Sequence, residues 1–113
     1  MLPRLNRLNK KQDIEKVFRS GRSVYAGALG LRLCPNKLPI TRLAVVTSLK
    51  VSKKAVDRNR LKRRLREIIR QEIMPRAKAG TDGLVLTQKS LLDLSYGQLR
   101  DLTLSLFKKA KLL

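Results

Sequence analysis

Between Lys50 and Arg70 the chain gathers ten basic residues, Lys50, Lys53, Lys54, Arg58, Arg60, Lys62, Arg63, Arg64, Arg66 and Arg70, against only Asp57 and Glu67. Side chains of this kind bind polyanions, and phosphate backbones are the usual ones, because each neutralised phosphate releases condensed counterions. A charge run is most often a solvated helix face. Three features weigh against that here. The balance is one-sided, whereas solvated helices interleave both signs for i,i+4 pairs. Lys53 and Lys54 sit at a helix start, where the macrodipole favours acidic residues but phosphate is also gripped. At 100° per residue, Asn59, Arg63, Arg66 and Arg70 project opposite the apolar stripe as an outward ridge. Arg58 points back toward the apolar arc, so it either lines a cleft or makes a structural pair with Asp57 or a strand-end carbonyl.

Bond-breaking chemistry has far less to work with. The chain has no His and one Cys, Cys34. The commonest general base is therefore missing, and so is any zinc site of ordinary composition. Asp13, Glu15, Asp57, Glu67, Glu72, Asp82, Asp93 and Asp101 are scattered, and the nearest pairs lack same-face helical spacing. No phosphate-cradling glycine motif occurs. We expect a binder with no catalytic group and no metal site of its own. Aromatics are few: Phe18, Tyr25, Tyr96 and Phe107. A general single-strand binder built on stacking would carry more. Phe18 and Phe107 lie on apolar stripes, so core packing is the default for both.

The 113 residues suffice for one domain, 1–113, and the apolar content of 42% is that of a folding chain. A net charge of +19 points to a polyanionic partner that relieves self-repulsion. The first ten residues, with Arg4, Arg7, Lys10 and Pro3, read as a basic extended arm. No signal peptide or membrane span is visible, and the lone Cys suits a reducing compartment, so a cytoplasmic protein is expected.

The elements that would position the cationic stretch follow from periodicity. Ile14, Val17 and Phe18 predict a helix over 11–19 with Asn9 as N-cap. From Arg22 to Leu33 the period is two, with Leu29, Leu31 and Leu33 on one face. Pro35 to Pro39 is turn chemistry, and a strand over 41–48 follows, expected to pair with the first as an antiparallel hairpin. Leu61, Leu65, Ile68, Ile69 and Ile73 predict the longest helix, about 53–73, ended by Met74-Pro75. A third strand over 84–87 and a final helix over 96–109, striped by Leu99, Leu102, Leu106 and Phe107, complete an α+β sandwich in the order α-β-β-α-β-α.

The run Ala55-Val56-x-Arg58-Asn59-Arg60-x-Lys62-Arg63-x-x-Arg66, opening a long helix after a strand, resembles the signature of bacterial ribonuclease P proteins. Arg7-Leu8, Val17-Phe18-x-x-Gly21 and Asp82 before a strand fit the same layout. The resemblance implies a left-handed βαβ crossover, where general rules would give a right-handed one. It implies a protein subunit that binds a catalytic RNA and the 5′ leader of precursor tRNA, assisting Mg²⁺-dependent cleavage in which the RNA supplies the catalytic groups. One protein, monomeric when free, would pair with one RNA. Lys50, Lys53, Lys54, Arg58, Asn59, Arg60, Lys62, Arg63, Arg66 and Arg70 become RNA contacts. Ile14, Phe18 and Arg32 become lining of a leader cleft between the first helix and the sheet. Ile14, Arg32 and Leu49 depart from the family pattern, which points to a more electrostatic leader grip through Arg32. The rivals are an architectural RNA binder of ribosomal type and a cationic helix lying on a membrane surface.

Overall fold

Alternating apolar residues build one sheet with two unlike faces. The computed structural model describes residues 4–113, so the first three residues of the expected arm lie outside it. Its elements are α1 (Lys11–Ser20), β1 (Arg22–Ala26), β2 (Leu29–Pro35), β3 (Arg42–Val46), α2 (Ala55–Ile68), β4 (Thr81–Leu86) and α3 (Tyr96–Lys109). Short 3-10 turns occupy Arg4–Asn6 and Lys89–Asp93. The strands form one sheet in the order β1-β2-β4-β3.

The α+β class holds, and the element order gains a strand. What reads as one strand over 22–33 is a hairpin, with Ala26 paired to Leu29 around the two-residue turn Gly27-Ala28. Gly27 has φ 56°, so glycine in the first central position matches the turn that suits a two-residue hairpin. The hairpin expected between the second and third stretches is replaced. β4 inserts between β2 and β3, pairing antiparallel with β2 and parallel with β3. Parallel neighbours need a long connection, and the segment between β3 and β4, which contains α2, provides it.

One sheet face carries the larger core. Leu29, Leu31 and Leu33 of β2, Leu43 and Val45 of β3, and Val85 of β4 pack with Leu61, Leu65 and Ile68 of α2 and Leu99, Leu106 and Phe107 of α3. The predicted stripe of α2 is buried throughout, including Ile69 and Ile73 in a π-helical turn over Ile69–Ile73. There the Met74 N–H reaches the Ile69 carbonyl at 2.9 Å. The other face carries a smaller cluster, in which Val17 and Ile14 of α1 meet Leu8, Cys34, Ala44, Val46, Leu84 and Leu86.

The segment preceding α1 is docked, correcting the extended-arm expectation for the residues described. Arg7 bridges Leu43, the Leu8 N–H donates to the Leu43 carbonyl at 3.0 Å, and Asn6 Nδ2 donates to the Thr41 carbonyl at 2.9 Å. The outer edge of β3 is thereby covered over part of its length, as exposed sheet edges generally must be. The N-cap of α1 is Lys10, with no side-chain cap, and not Asn9.

Candidate nucleic-acid interface

Two surfaces flank the sheet, and the sequence builds them differently. The first is the outward face of α2. Helical spacing turns Leu61, Leu65 and Ile68 into the core and leaves Asn59, Arg60, Arg63 and Arg70 exposed, with Lys50, Lys53 and Lys54 exposed in and beside the preceding loop. Lys62 and Arg66 are half-buried on the flank of the ridge. A groove of about 490 Å³ runs along it, lined by Asn59, Lys62, Arg63, Arg66 and Glu67. Val56 is 76% exposed on the same outward face.

The ridge keeps most of its charge. Arg60 lies 4.0 Å from Asp57, and Arg70 is held by Glu67 at 2.5 Å. For Lys50, Lys53, Lys54, Lys62, Arg63, Arg64 and Arg66 no acidic partner is found among the described residues. Crowding has an electrostatic signature: burial, and then the neighbouring Arg66 charge, push the Lys62 ammonium below its ordinary pKa. Hydrogen bonding to Arg70 holds the Glu67 carboxyl low. The N-cap, Lys54, makes no side-chain cap hydrogen bond, and Lys53 and Lys54 stand exposed at this helix start.

Arg58 is set apart, as its spacing predicts. It is half-buried, and its Nη1 donates to the Ser52 carbonyl at 2.8 Å. Ser52 Oγ in turn donates to Asp57 at 2.9 Å and accepts from the Lys54 N–H at 3.1 Å. Arg58 therefore ties down the loop that presents Lys53 and Lys54. The carbonyl it meets belongs to a loop residue, Ser52, and neither to a strand end nor to Asp57.

The second surface is the sheet face that α1 only partly covers. Register aligns Tyr25, Gly30, Leu86 and Val46 in one row across all four strands. The next row is Ser23, Arg32, Leu84 and Ala44. α1 packs Val17 over Leu84 and Cys34 and leaves Phe18 47% exposed beside the uncovered part. Phe18 thus departs from core packing, whereas Phe107 is fully buried. Ile14 is half-buried on the same helix. Tyr25, 50% exposed at the outer end of its row, joins this face. Sequence reasoning misses it because a strand drawn straight through Gly27 puts Tyr25 on the face of Leu29, Leu31 and Leu33, whereas a turn at Gly27-Ala28 moves it to the face of Gly30 and Arg32.

Arg32 is less free than the expectation of a phosphate grip requires. Its Nε donates to the carbonyls of Val17 (3.1 Å) and Phe18 (2.9 Å), and its Nη1 to Ser23 Oγ (2.9 Å). A cation on the last carbonyls of a helix is favourably placed, and here it fixes the end of α1 against β1 and β2.

The carboxylates are largely engaged by the chain's own cations. Arg42 takes Asp82 and Asp13, Arg76 takes Glu72, and Arg100 takes Asp101. Among the described residues no group of three or more His, Cys, Asp or Glu side chains is arranged to hold a metal ion. No helix there is long and apolar enough to cross a membrane. Because α2 spends its apolar stripe on the core, it has none left to lay on a bilayer.

Comparison with known proteins decides between the remaining readings. The family model described as Ribonuclease P matches residues 2–111. The chain belongs to the ribonuclease P protein family. A ribonuclease P protein component from Pseudanabaena is 38% identical over 114 residues, covering all of this chain and 97% of the relative. One from Microcystis aeruginosa is 37% identical over 99 residues, covering 84% of this chain and 82% of the relative. Among solved structures, a Staphylococcus aureus RNase P protein mutant with defective mRNA degradation activity superposes with a TM-score of 0.88 at 25% identity, covering 96% of this chain and 91% of the other. The RNase P protein from Thermotoga maritima gives 0.81 at 29%, covering 90% and 94%. The four-stranded α+β architecture is therefore that of ribonuclease P proteins, and the α2 ridge belongs to a component of a tRNA-processing ribonucleoprotein.

Proposed function

We propose that this chain is the protein subunit of a cytoplasmic ribonuclease P, binding the catalytic RNA through the outward face of α2 and the 5′ leader of precursor tRNA in the cleft beside α1. The observation that carries the reading is the row of cations on α2, most of which have no acidic partner within the described chain. Such a surface is costly in self-repulsion and is relieved by phosphates. Lys53, Lys54, Asn59, Arg60, Lys62, Arg63 and Arg66 contact the RNA subunit directly; Arg58 presents the loop as well as contacting RNA. Hydrolysis falls to the RNA and the Mg²⁺ it holds, which agrees with carboxylates that are dispersed and tied to arginines.

Ile14, Phe18, Val46 and Leu86 offer apolar surface to bases of a single strand, while Arg32 fixes the cleft wall. Reconstitution tests the whole: the purified chain, added to ribonuclease P RNA and a precursor tRNA at limiting Mg²⁺, should restore accurate 5′ cleavage. Binding of RNA without any stimulation would instead indicate an architectural RNA-binding protein. Cleavage by the chain alone would overturn the division of labour.

A further inference from the structure

Tyr25 is the one large aromatic on the outer strand of the cleft face, and its setting is unusual. Its register partner is Gly30, and a Cβ built on Gly30 would come within 2.7 Å of Tyr25 Cε1 and 2.9 Å of Cδ1. The ring therefore lies directly over the glycine, in the space any other residue would fill. One side of it rests on strand β2, and half of the residue remains open to solvent. An aromatic covering a cross-strand glycine stabilises a hairpin by itself. That role needs the inner side of the ring only, and leaves the outer side unexplained.

The surroundings specify what the outer side meets. The row continues through Leu86 to Val46, spanning roughly 14 Å at the usual strand spacing. Beyond β3 the chain leads into Lys50, Lys53 and Lys54. At the Tyr25 end, Lys109 Nζ sits 2.9 Å from the Tyr25 carbonyl, and Arg32 is bonded to Ser23, two residues before Tyr25 on the same strand face. The row thus sets an aromatic ring and apolar side chains side by side on the face that α1 leaves partly open, the kind of surface on which bases of a single strand stack.

We infer that Tyr25, seated on Gly30, is a stacking platform for a nucleobase of the single-stranded leader, distinct from the surface offered by Phe18. The inference rests on the reading of this cleft as the leader site. Stacking on an aromatic face is sequence-tolerant, so Tyr25 selects for the presence of a nucleotide far enough along the leader to reach β1, not for its identity.

The test compares Tyr25→Phe, Tyr25→Leu and Phe18→Ala in the reconstituted holoenzyme, measuring affinity for precursor tRNAs with long and with trimmed leaders. Tyr25→Phe should match the parent. Tyr25→Leu keeps apolar cover over Gly30 but loses the planar face, and should bind long-leader precursor about five- to a hundred-fold more weakly. Once the leader is too short to reach β1 the difference should vanish. If Tyr25→Leu binds both precursors like the parent while Phe18→Ala shows a leader-dependent loss, Tyr25 is only a hairpin residue and the cleft reading survives. If neither variant depends on leader length, both fall. Should Tyr25→Leu fold poorly, fluorine NMR of the full chain carrying 3-fluorotyrosine reads out Tyr25 and Tyr96, the two tyrosines present. Adding a single-stranded RNA of adenosines and uridines should move the Tyr25 signal and leave Tyr96 in place; an unmoved Tyr25 signal overturns the proposal.

Discussion

Arg42 and Asp82 pair across the parallel strands β3 and β4, with Nε 2.8 Å from Oδ1 and Nη2 2.6 Å from Oδ2. The remaining arm of the guanidinium reaches Asp13 of α1 at 3.2 Å, and Asn36 donates to Asp82 at 2.8 Å. Two parallel N–H···O bonds fix orientation as well as distance. This one arginine therefore ties the first helix to the centre of the sheet, and with it the wall that carries Ile14 and Phe18.

Breaking that pair should be expensive. Asp82 is buried, so Asp82→Ala leaves a half-buried guanidinium without its main partner. A loss of about 3 kcal/mol is expected, with a fall in Tm of roughly 10 °C. Calorimetry or thermal circular dichroism measures it; a change within a degree or two would mean that the pair does not anchor α1.

Charge removal on α2 should act on binding and leave the fold alone. Arg60→Ala is expected to weaken binding to the RNA subunit by about 1–3 kcal/mol. Arg63→Gln and Arg66→Gln should each flatten the dependence of log affinity on log salt by about 0.7–0.9 for every phosphate no longer neutralised. Filter binding over a salt series gives both values, and unchanged slopes would remove those residues from the interface. Arg58→Ala should differ in kind, lowering thermal stability along with affinity, because it also releases the Ser52 carbonyl.

Lys62 provides a proton-linked readout. Burial and Arg66 lower its pKa in the free protein. Between that lowered value and the ordinary lysine range the unfolded chain binds the proton more readily, so fold stability rises with pH in that window. A phosphate alongside has the opposite effect and restores the charge. NMR of methyl-labelled lysines should show Lys62 titrating below the ordinary lysine range when free and moving upward on adding RNA. Were its titration the same with and without RNA, Lys62 would not face phosphate.

The start of α3 holds a capping box: Ser95 Oγ accepts from the Gln98 N–H at 3.2 Å, and Gln98 returns a bond to the Ser95 N–H at 2.9 Å. Ser95→Ala should cost about 1 kcal/mol. Denaturant titration checks it, with a shifted midpoint at constant slope as the expected form.

What can be read from the sequence is what local physics governs. The stripe from Leu61 to Ile73 follows from helical periodicity and is found, as is the opposing ridge of Asn59, Arg63 and Arg70, with Arg66 turned half-buried onto its flank. The Ser95-x-x-Gln98 box is equally local, but apolar periodicity, which locates α3, does not register a polar cap. Gly27-Ala28 is easily passed over because both flanking segments have period two, although the phase shifts across it, from Val24 and Ala26 to Leu29, Leu31 and Leu33. The pairing of β3 with β4 joins residues about forty apart, and no local pattern announces it. In the same way the bonds that take Arg32 to the end of α1 emerge only once the helix is packed on the sheet.

The placement of β4 between β2 and β3 has a consequence for biosynthesis. A ribosome releases β3 some forty residues before the strand that will lie beside it. Until Leu86 emerges, β2 and β3 cannot be joined, and the strongly cationic segment that follows β3 is held open among ribosomal RNA. Closure waits on a late, non-local event. Nascent chains arrested before residue 81 should therefore remain protease-sensitive, and those extended past α3 should become resistant.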